Sequence, residues 1–322
     1  MNKAVLSALG FLPVGALVLA AAIAFGGPAP APEMASINNP FKSVDESGMP
    51  ALSRYGARDG AALAYRHYAP SGAQTRGSVV LVHGSSASSR SMHTLARAFA
   101  EAGFDSYALD IRGHGDSGQR GTIGYIGQLE DDLEDFSKAV TLGRPSTLAG
   151  FSAGGGFALR FAASSRQAIF DNYLLLSPFL SQDARSFRAH AGGWVQVGIP
   201  RIVGLTILNA LQVSAFNQLP VTNFALNEQA RAFLTPSYSF ALATNFRPNA
   251  DYQADLRNVR RPSVVVAGAD DEVFRTDQLE PELRAVGVQW PVTLVPGVGH
   301  VPLTLEPHAV EAAVQAVRTM NE

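Results

Sequence analysis

Short apolar runs alternate with amphipathic segments from about residue 78 to the end of the chain. The apolar runs cover residues 78–82, 106–109, 147–151, 173–176, 263–267 and 292–295. Each has the length of a strand but lacks the alternation of a strand with one face in water, which predicts parallel strands covered on both faces. Helical patterns lie between them, including residues 92–102, 124–142 and 306–320. This order predicts an α/β fold with a mostly parallel, doubly wound sheet.

Two segments depart from the strand–helix alternation. Residues 55–60 and 63–68 read as two strands joined through Asp59 and Gly60, which predicts a β-hairpin ahead of the first parallel strand. The stretch between Ser177 and Pro262 is too long for an ordinary connection between a strand and the next element. We therefore expect an inserted helical cap at about residues 181–256.

The N-terminus carries an uncharged apolar stretch at residues 4–25, directly after Lys3. Its length matches the roughly 20 residues that a helix needs to cross a bilayer and exceeds the usual core of a signal peptide. It is read as an uncleaved membrane anchor, as a signal peptide cleaved near residues 22–24, or as a buried core helix. With Lys3 on the cytoplasmic side, the first two interpretations place the rest of the chain outside the cytoplasm.

We therefore expect a membrane-anchored protein with an extracytoplasmic domain, the alternative being a secreted or periplasmic form after cleavage. The proline-rich residues 26–33 read as an extended spacer, which divides the chain into an N-terminal segment, 1–33, and a domain, 34–322. A hydrophobic content of 47% is enough for a sizeable core, and a net charge of −2 argues against a nucleic-acid partner, which would need a basic face. The absence of cysteine excludes disulfides, thiol chemistry and cysteine zinc sites.

A candidate nucleophile stands between the strand at 147–151 and a helix. Gly150, Phe151, Ser152, Ala153 and Gly154 fit the pattern G-x-S-x-G, in which a serine occupies a sharp strand-to-helix bend. Side chains at the two glycine positions would collide with the bend and with the neighbouring strand. The helix that begins at Ala153 also aims backbone N–H groups and a positive dipole at the site. A flexible glycine linker would instead have polar flanks without periodicity.

A serine hydroxyl needs a base that takes its proton, and that base needs a carboxylate to orient it. His300 follows the strand at 292–295 and precedes the last helix, while Asp270 and Asp271 follow the strand at 263–267. The carboxyl ends of parallel strands meet at one edge of a sheet, so these groups and Ser152 are expected to lie together. The chain order is serine, acid, histidine.

Several motifs together resemble those of the α/β-hydrolases. From about residue 50 to its end, the chain is similar to the monoacylglycerol-lipase or lysophospholipase-like branch, of the serine aminopeptidase S33 type. The motifs that carry this resemblance are V-V-L-V-H-G at 79–84, L-D-I-R-G-H-G-D-S at 109–117, the helix start at 124–132, and the loops at 150–154, 268–271 and 297–300.

The resemblance implies a role for each matching residue. Ser152 is the nucleophile, His300 is the general base, and Asp271 is the acid, since the family places the acid three residues after the turn glycine. The backbone N–H groups of Ser85 and Ala153 form the oxyanion hole. His83 is expected to order the loop before that hole, and His114 and Asp116 are expected to belong to a structural turn.

The implied activity is that of a serine hydrolase that cleaves carboxylic esters through an acyl-enzyme, without a metal or organic cofactor. The expected substrate is a small-molecule or lipid-like ester, of monoacylglycerol or lysophospholipid type. The cap carries aromatic residues that suit an acyl chain or, alternatively, only pack the cap onto the sheet: Trp194, Phe216, Phe224, Phe233, Tyr238 and Phe246. Two alternatives to the esterase stay open: a non-catalytic extracytoplasmic binding protein on this fold, and a serine-dependent perhydrolase or amidase.

Overall fold

The computed structural model describes residues 3–39, 44–72 and 75–322. Its strands, numbered in chain order, are β1 (Leu52–Gly56), β2 (Ala62–Tyr68), β3 (Ser78–Val82), β4 (Asp105–Leu109), β5 (Ser146–Phe151), β6 (Asn172–Leu176), β7 (Val195–Val197), β8 (Pro220–Phe224), β9 (Ser237–Ser239), β10 (Ser263–Gly268) and β11 (Val292–Val295). Its helices are α1 (Lys3–Phe25), α2 (Ala35–Asn38), α3 (His93–Glu101), α4 (Gln128–Ala139), α5 (Ala153–Ala162), α6 (Ile199–Ala210), α7 (Glu228–Arg231), α8 (Phe240–Asn245), α9 (Tyr252–Asn258), α10 (Leu279–Ala285) and α11 (Pro307–Asn321).

Eight strands form the main sheet, in the order β1-β2-β4-β3-β5-β6-β10-β11. The hairpin of β1 and β2 is antiparallel, β2 also runs antiparallel to β4, and the remaining neighbours are parallel. The predicted hairpin and the predicted mostly parallel α/β sheet are therefore confirmed. Because parallel strands share a direction, the carboxyl ends of β5, β6, β10 and β11 meet at one edge of the sheet.

Helices cover both faces of the sheet. On one face, Phe136 of α4 and Phe157 of α5 lie in the larger core cluster, and on the other, Phe99 of α3 and Val314 of α11 lie in the second. Every residue of β3, β5, β6 and β10 is buried, as their apolar runs predict. The same prediction is wrong for β11, where Leu294 is 38% exposed, because β11 is the edge strand and has a neighbour on one side only.

The sequence predicts a helical cap, and the structure corrects this. Besides α6 to α9, the segment contains a three-stranded antiparallel sheet in the order β7-β8-β9. Its strands are three to five residues long, too short to show a periodic pattern in the sequence. The ring of Phe224 on β8 stacks on Trp194 at 5.3 Å and meets Tyr238 of β9 edge-on at 4.6 Å, which ties the small sheet together.

The predicted N-terminal helix is present as α1, and its C-terminal end packs on the cap. Arg201 of α6 donates hydrogen bonds to the carbonyls of Ile23 and Ala24, at 2.7 and 2.8 Å. A methyl group on Gly204 would come within 2.7 Å of Ile23, so α1 and α6 are in close contact. Of the helices in the described ranges, none combines the length and apolar character that crossing a bilayer requires. The helix is therefore confirmed, and its prediction as a transmembrane anchor is not.

Candidate active site

Ser152 occupies a strained bend between β5 and α5, with φ 55° and ψ −118°. Its backbone N–H donates to the carbonyl of Leu176 at 2.9 Å, which holds the bend against β6. A methyl group on Gly150 would lie 2.1 Å from the carbonyl oxygen of Gly154, and one on Gly154 would lie 2.3 Å from that of His83. Glycine is thus required at both positions because backbone passes where a side chain would start.

The structure brings the three residues predicted as a triad into one hydrogen-bonded row. The Nε2 atom of His300 lies 3.0 Å from Ser152 Oγ, and its Nδ1 atom lies 2.7 Å from Asp271 Oδ2. All three residues are buried, at 3–6% exposure, whereas Asp270 is exposed. A buried carboxylate that accepts from Nδ1–H leaves Nε2 free to accept the serine proton, which is the arrangement that activates a serine.

Asp271 is held as a carboxylate by its neighbours. Its Oδ1 atom accepts the backbone N–H groups of Val273 and Phe274, both at 2.8 Å, while Oδ2 faces His300. Burial by itself would raise the pKa of Asp271, but the charge and hydrogen bond of His300 and the bond from Phe274 outweigh it, so this pKa lies below its ordinary value. The side chain is therefore ionised and able to stabilise an imidazolium.

The loop that carries His300 is fixed by Glu272, which sequence reasoning missed. Glu272 Oε2 accepts the backbone N–H of His300 at 2.9 Å. The imidazole also lies between two rings, with centroids 4.8 Å from Phe151 and 5.2 Å from Phe274. The one signal in the sequence is the position of Glu272 directly after the acid, which does not by itself indicate that it reaches back to another loop.

The two predicted oxyanion donors border the same space as Ser152. Ala153 is the first residue of α5, and the first N–H groups of a helix have no intrahelical acceptor. Ser85 lines the cavity in front of Ser152, and a methyl group on Gly84 would lie 3.2 Å from Ser152 Cβ, so the loop passes directly over the nucleophile. Their role as donors stays a prediction.

A cavity of about 130 Å³ opens in front of Ser152 and His300. Its walls are mainly apolar and include Ile37 and Val44 before the main sheet, Trp194, Phe233 and Leu234 in the cap, and Val301 after the histidine. Arg90 also lines the cavity. Its guanidinium lies over the ring of Phe233, with Cζ 5.4 Å from the ring centroid, and donates a hydrogen bond to Glu46 Oε2 at 2.6 Å.

The cap aromatics have different surroundings. Phe233 lines the cavity and is 46% exposed. Phe224 is buried within the cap, Tyr238 and Phe246 are buried where the cap packs on His114, and Phe216 is half exposed on the surface. Of the six aromatic residues considered in the sequence, Trp194 and Phe233 thus line the cavity.

The chain is similar to known proteins in sequence and in fold. A family model described as serine aminopeptidase, S33, matches residues 73–307. A monoacylglycerol lipase of Mycolicibacterium smegmatis is 37% identical over 94 residues, which cover 27% of this chain and 33% of that relative, so the chain spans about a third of the curated relative's length.

Solved structures share the fold. A soluble variant of monoglyceride lipase from Saccharomyces cerevisiae superposes with a TM-score of 0.62 at 18% identity, covering 91% of this chain and 98% of that one. A monoacylglycerol lipase from Paleococcus ferrophilus gives 0.58 at 17% identity, over 79% and 99% of the two chains. A bacterial membrane phospholipase A gives 0.57 at 20% identity, over 99% of both. Since the family model spans more than half of the chain, the protein belongs to the serine aminopeptidase S33 family, which consists of serine hydrolases on the α/β-hydrolase fold.

Proposed function

We propose that this protein hydrolyses carboxylic esters through a covalent acyl-enzyme on Ser152. The proposal rests on one observation above all, the unbroken row of hydrogen bonds from Ser152 Oγ through His300 to Asp271. A serine of ordinary structural role has no reason to occupy a strained backbone conformation opposite a buried imidazole–carboxylate pair.

The chemistry follows from the atoms in this row. Ser152 Oγ attacks the ester carbonyl carbon while His300 Nε2 takes the hydroxyl proton, and the N–H groups of Ser85 and Ala153 bind the negative oxygen of the tetrahedral intermediate. The intermediate collapses, the C–O bond to the alcohol breaks, and His300 returns the proton to the leaving oxygen. Water then attacks the acyl-enzyme by the same route and releases the acid. Each oxyanion donor contributes about 3 kcal/mol to lowering the barrier.

The proposed substrates are lipid-like esters of the monoacylglycerol or lysophospholipid type. The apolar walls of the cavity, from Ile37 and Val44 to Trp194 and Phe233, suit an acyl chain better than a polar acyl group. The relatives described as monoacylglycerol or monoglyceride lipases add support to this proposal.

The charges around the cavity favour an ester over a peptide with a free amino terminus. An aminopeptidase needs an unpaired carboxylate or similar acceptor for the substrate's ammonium group. Among the described residues that line the cavity, Glu46 carries the one carboxylate, and it is already paired with Arg90. A substrate ammonium would have to displace the guanidinium of Arg90, which costs the pair its hydrogen bonds.

The test is a panel of p-nitrophenyl and monoacylglycerol esters of increasing acyl length, run on the full chain together with an aminoacyl-anilide. We expect ester turnover that rises with acyl length, little anilide cleavage, and labelling by a fluorophosphonate probe. Ser152→Ala should lose both ester turnover and labelling. The control Ser137→Ala, which removes a hydroxyl of α4 that donates to the carbonyl of Glu134, should keep both. Labelling that persists in Ser152→Ala, or folded protein with no ester turnover, would refute the proposal.

We also propose that the catalytic domain works outside the cytoplasm, on the strength of the uncharged stretch at residues 4–25 and Lys3 before it. Fractionation of cells that express the full chain, with an antibody to its C-terminus, tests this. Recovery in the periplasmic, extracellular or membrane fraction accessible to external protease supports the proposal, and recovery in the protease-protected cytosol refutes it.

A further inference from the structure

The loop that carries the predicted oxyanion donor Ser85 is bonded to the cap. The next residue, Ser86, has φ 69°, a conformation that side chains rarely adopt, and it is buried. Its N–H donates to the hydroxyl of Tyr238 at 2.5 Å and its Oγ donates to the carbonyl of Thr235 at 2.6 Å. The N–H of Thr235 returns a bond to the Ser86 carbonyl at 2.8 Å. Ser86 is thus held on both sides by the segment that leads into β9.

The hydroxyl of Tyr238 continues into a buried imidazole. It lies 2.6 Å from His114 Nε2, while His114 Nδ1 faces the carbonyls of Ile111 and Arg112 at 3.2 and 3.4 Å. A carbonyl oxygen only accepts, so the proton of His114 is on Nδ1 and Nε2 is the acceptor. The hydroxyl of Tyr238 therefore donates to His114 Nε2 and accepts from the N–H of Ser86, so it acts as both donor and acceptor.

A second imidazole closes the path back to the loop. The N–H of Ile111 donates to His83 Nε2 at 3.3 Å, and His83 Nδ1 lies 2.8 Å from the carbonyl of Gly84. By the same reasoning His83 is protonated on Nδ1 and donates to that carbonyl. The rings of His83 and His114 meet edge-on at 4.7 Å, and both side chains are fully buried.

The carbonyl of Gly84 belongs to the same peptide group as the N–H of Ser85. In a trans peptide these two groups point in opposite directions within one plane, so a bond that fixes the carbonyl also fixes the direction of the N–H. The bond from Ser86 to Tyr238 fixes the following peptide group. Both peptide groups that flank Ser85 are therefore anchored, one through His83 and the other through the cap.

We propose that Tyr238, His114 and His83 are positioning residues that aim the N–H of Ser85 at the oxyanion, so that strand β9 of the cap takes part in catalysis. This inference rests on the proposed ester hydrolysis. The path runs Ser86 to Tyr238 to His114, on to the backbone of Ile111, and through His83 back to Gly84. It works only while both imidazoles are neutral, since each must accept a hydrogen bond on Nε2.

The surroundings keep them neutral. Burial lowers the pKa of His83, and burial together with the neighbouring His83 lowers the pKa of His114 well below its ordinary value. The loss of one bond would leave an N–H or an imidazole nitrogen without a partner in a site closed to water, which disfavours the native loop position. Removal of the hydroxyl of Tyr238 is therefore expected to change the position of the Ser85 N–H.

The first test is Tyr238→Phe in the full chain, which removes the hydroxyl and keeps the ring that packs on Phe224. We expect kcat for an ester to fall about tenfold or more with KM within twofold, and the inhibition constant of a trifluoromethyl ketone, which mimics the tetrahedral oxyanion, to rise by the same factor. The matched control is Tyr173→Phe, a buried tyrosine of β6 whose hydroxyl donates to the carbonyl of Gln167 at 2.8 Å. It should lose stability without a change in kcat or in the inhibition constant.

Two further measurements separate positioning from general damage. Hydrogen–deuterium exchange should show lost protection at residues 84–90 in Tyr238→Phe and not in Tyr173→Phe, whether or not an ester is turned over. His114→Phe should give the same kinetic pattern. The variant that carries both Tyr238→Phe and His114→Phe should have a kcat no lower than that of the less active single variant, since both residues act through one path. Unchanged kcat and exchange in Tyr238→Phe overturn the inference. A wild-type protein without ester turnover overturns the proposed function instead, and exchange then still decides whether the cap anchors the loop.

Discussion

Gly154→Ala is the smallest change that tests whether the bend at Ser152 depends on backbone contact. A methyl group there would lie 2.3 Å from the carbonyl oxygen of His83 and 2.6 Å from that of Val82, whereas ordinary contact begins at 3.4 Å. The obstacles are backbone atoms of β3 and of the loop after it, so no side chain can rotate away. The start of α5 must therefore move from β3 by about 1 Å.

That displacement sets the expected size of both effects. Gly154 lies two residues after Ser152, so a shift of about 1 Å carries the nucleophile away from His300 and should lower kcat by about 10²-fold. Crowding of a packed site of this kind typically costs about 1–3 kcal/mol in the free energy of unfolding. Activity should thus fall much further than the folded fraction does, because a domain of this size keeps a folded majority after such a loss.

The assay is ester turnover per active site, with urea unfolding of the same preparations. The control is Gly56→Ala in β1, where no described atom lies within 4 Å of the added methyl group. It should leave kcat unchanged and unfolding within about 1 kcal/mol of wild type, in the stabilising direction. A Gly154→Ala protein with kcat within threefold of wild type would show that the contact yields without moving Ser152 and would refute this reasoning.

Three further predictions concern single side chains. Asp271→Asn should lower kcat by about 10³–10⁴-fold with little change in KM, whereas the exposed Asp270→Asn should stay within twofold of wild type in the same ester assay. The pKa of His114 is lowered in the folded protein, so below about pH 6.5 the unfolded chain binds a proton that the folded chain does not. This contribution to the free energy of unfolding is complete above that pH and decreases by up to about 1.4 kcal/mol per pH unit below it. Urea unfolding of His114→Phe should therefore show a free energy of unfolding that changes less between about pH 6.5 and 5 than that of the wild type. Arg201→Ala removes three bonds to carbonyls, including those of Ile23 and Ala24, and should speed proteinase K cleavage within residues 26–33, an expectation that an unchanged cleavage rate would contradict.

Much of the sheet was predictable because each buried strand has its own local signal. The runs that became β3, β5, β6 and β10 are mostly apolar and show no regular alternation of apolar and polar residues, which is the pattern of strands buried on both faces. Edge strand β11 has a similar run, yet its central residues are exposed. A mostly apolar run of four residues carries no information about whether a further strand lies beside it.

The candidate triad was predictable for a topological reason. Ser152, Asp271 and His300 each follow a strand, and parallel strands bring their carboxyl ends to one edge whatever the sequence distance between them. Chain order and strand direction are enough to place the three loops together. The choice between Asp270 and Asp271 depended on family spacing, and the structure adds a physical distinction: one side chain is exposed and the other is buried against His300.

Contacts made by irregular segments could not be predicted in this way. Glu272 supports the histidine loop by a bond to a backbone N–H, and Ile37 reaches the cavity from before the main sheet. Neither contact can be deduced from a period or from strand direction, because loops are placed by many weak contacts that depend on the finished fold. The short cap strands were missed because three to five residues carry no periodic pattern, and the rings that tie them together meet only in the finished fold.

Tyr238 couples the cap to the loop of Ser85 through a contact of this long-range kind. In the sequence it is one of nine aromatic residues in the cap, residues 181–256, and its hydroxyl meets Ser86 across 152 positions. The same cap contributes Phe233 to the wall of the cavity. If β9 both anchors the oxyanion loop and adjoins the substrate wall, substrate range and turnover are not independent properties of this chain. A change in the cap that widens the cavity by moving Phe233 would also displace Tyr238, unless the segment from Thr235 to β9 keeps its position. We therefore expect variants with a shifted acyl-length preference to have a lower kcat as well.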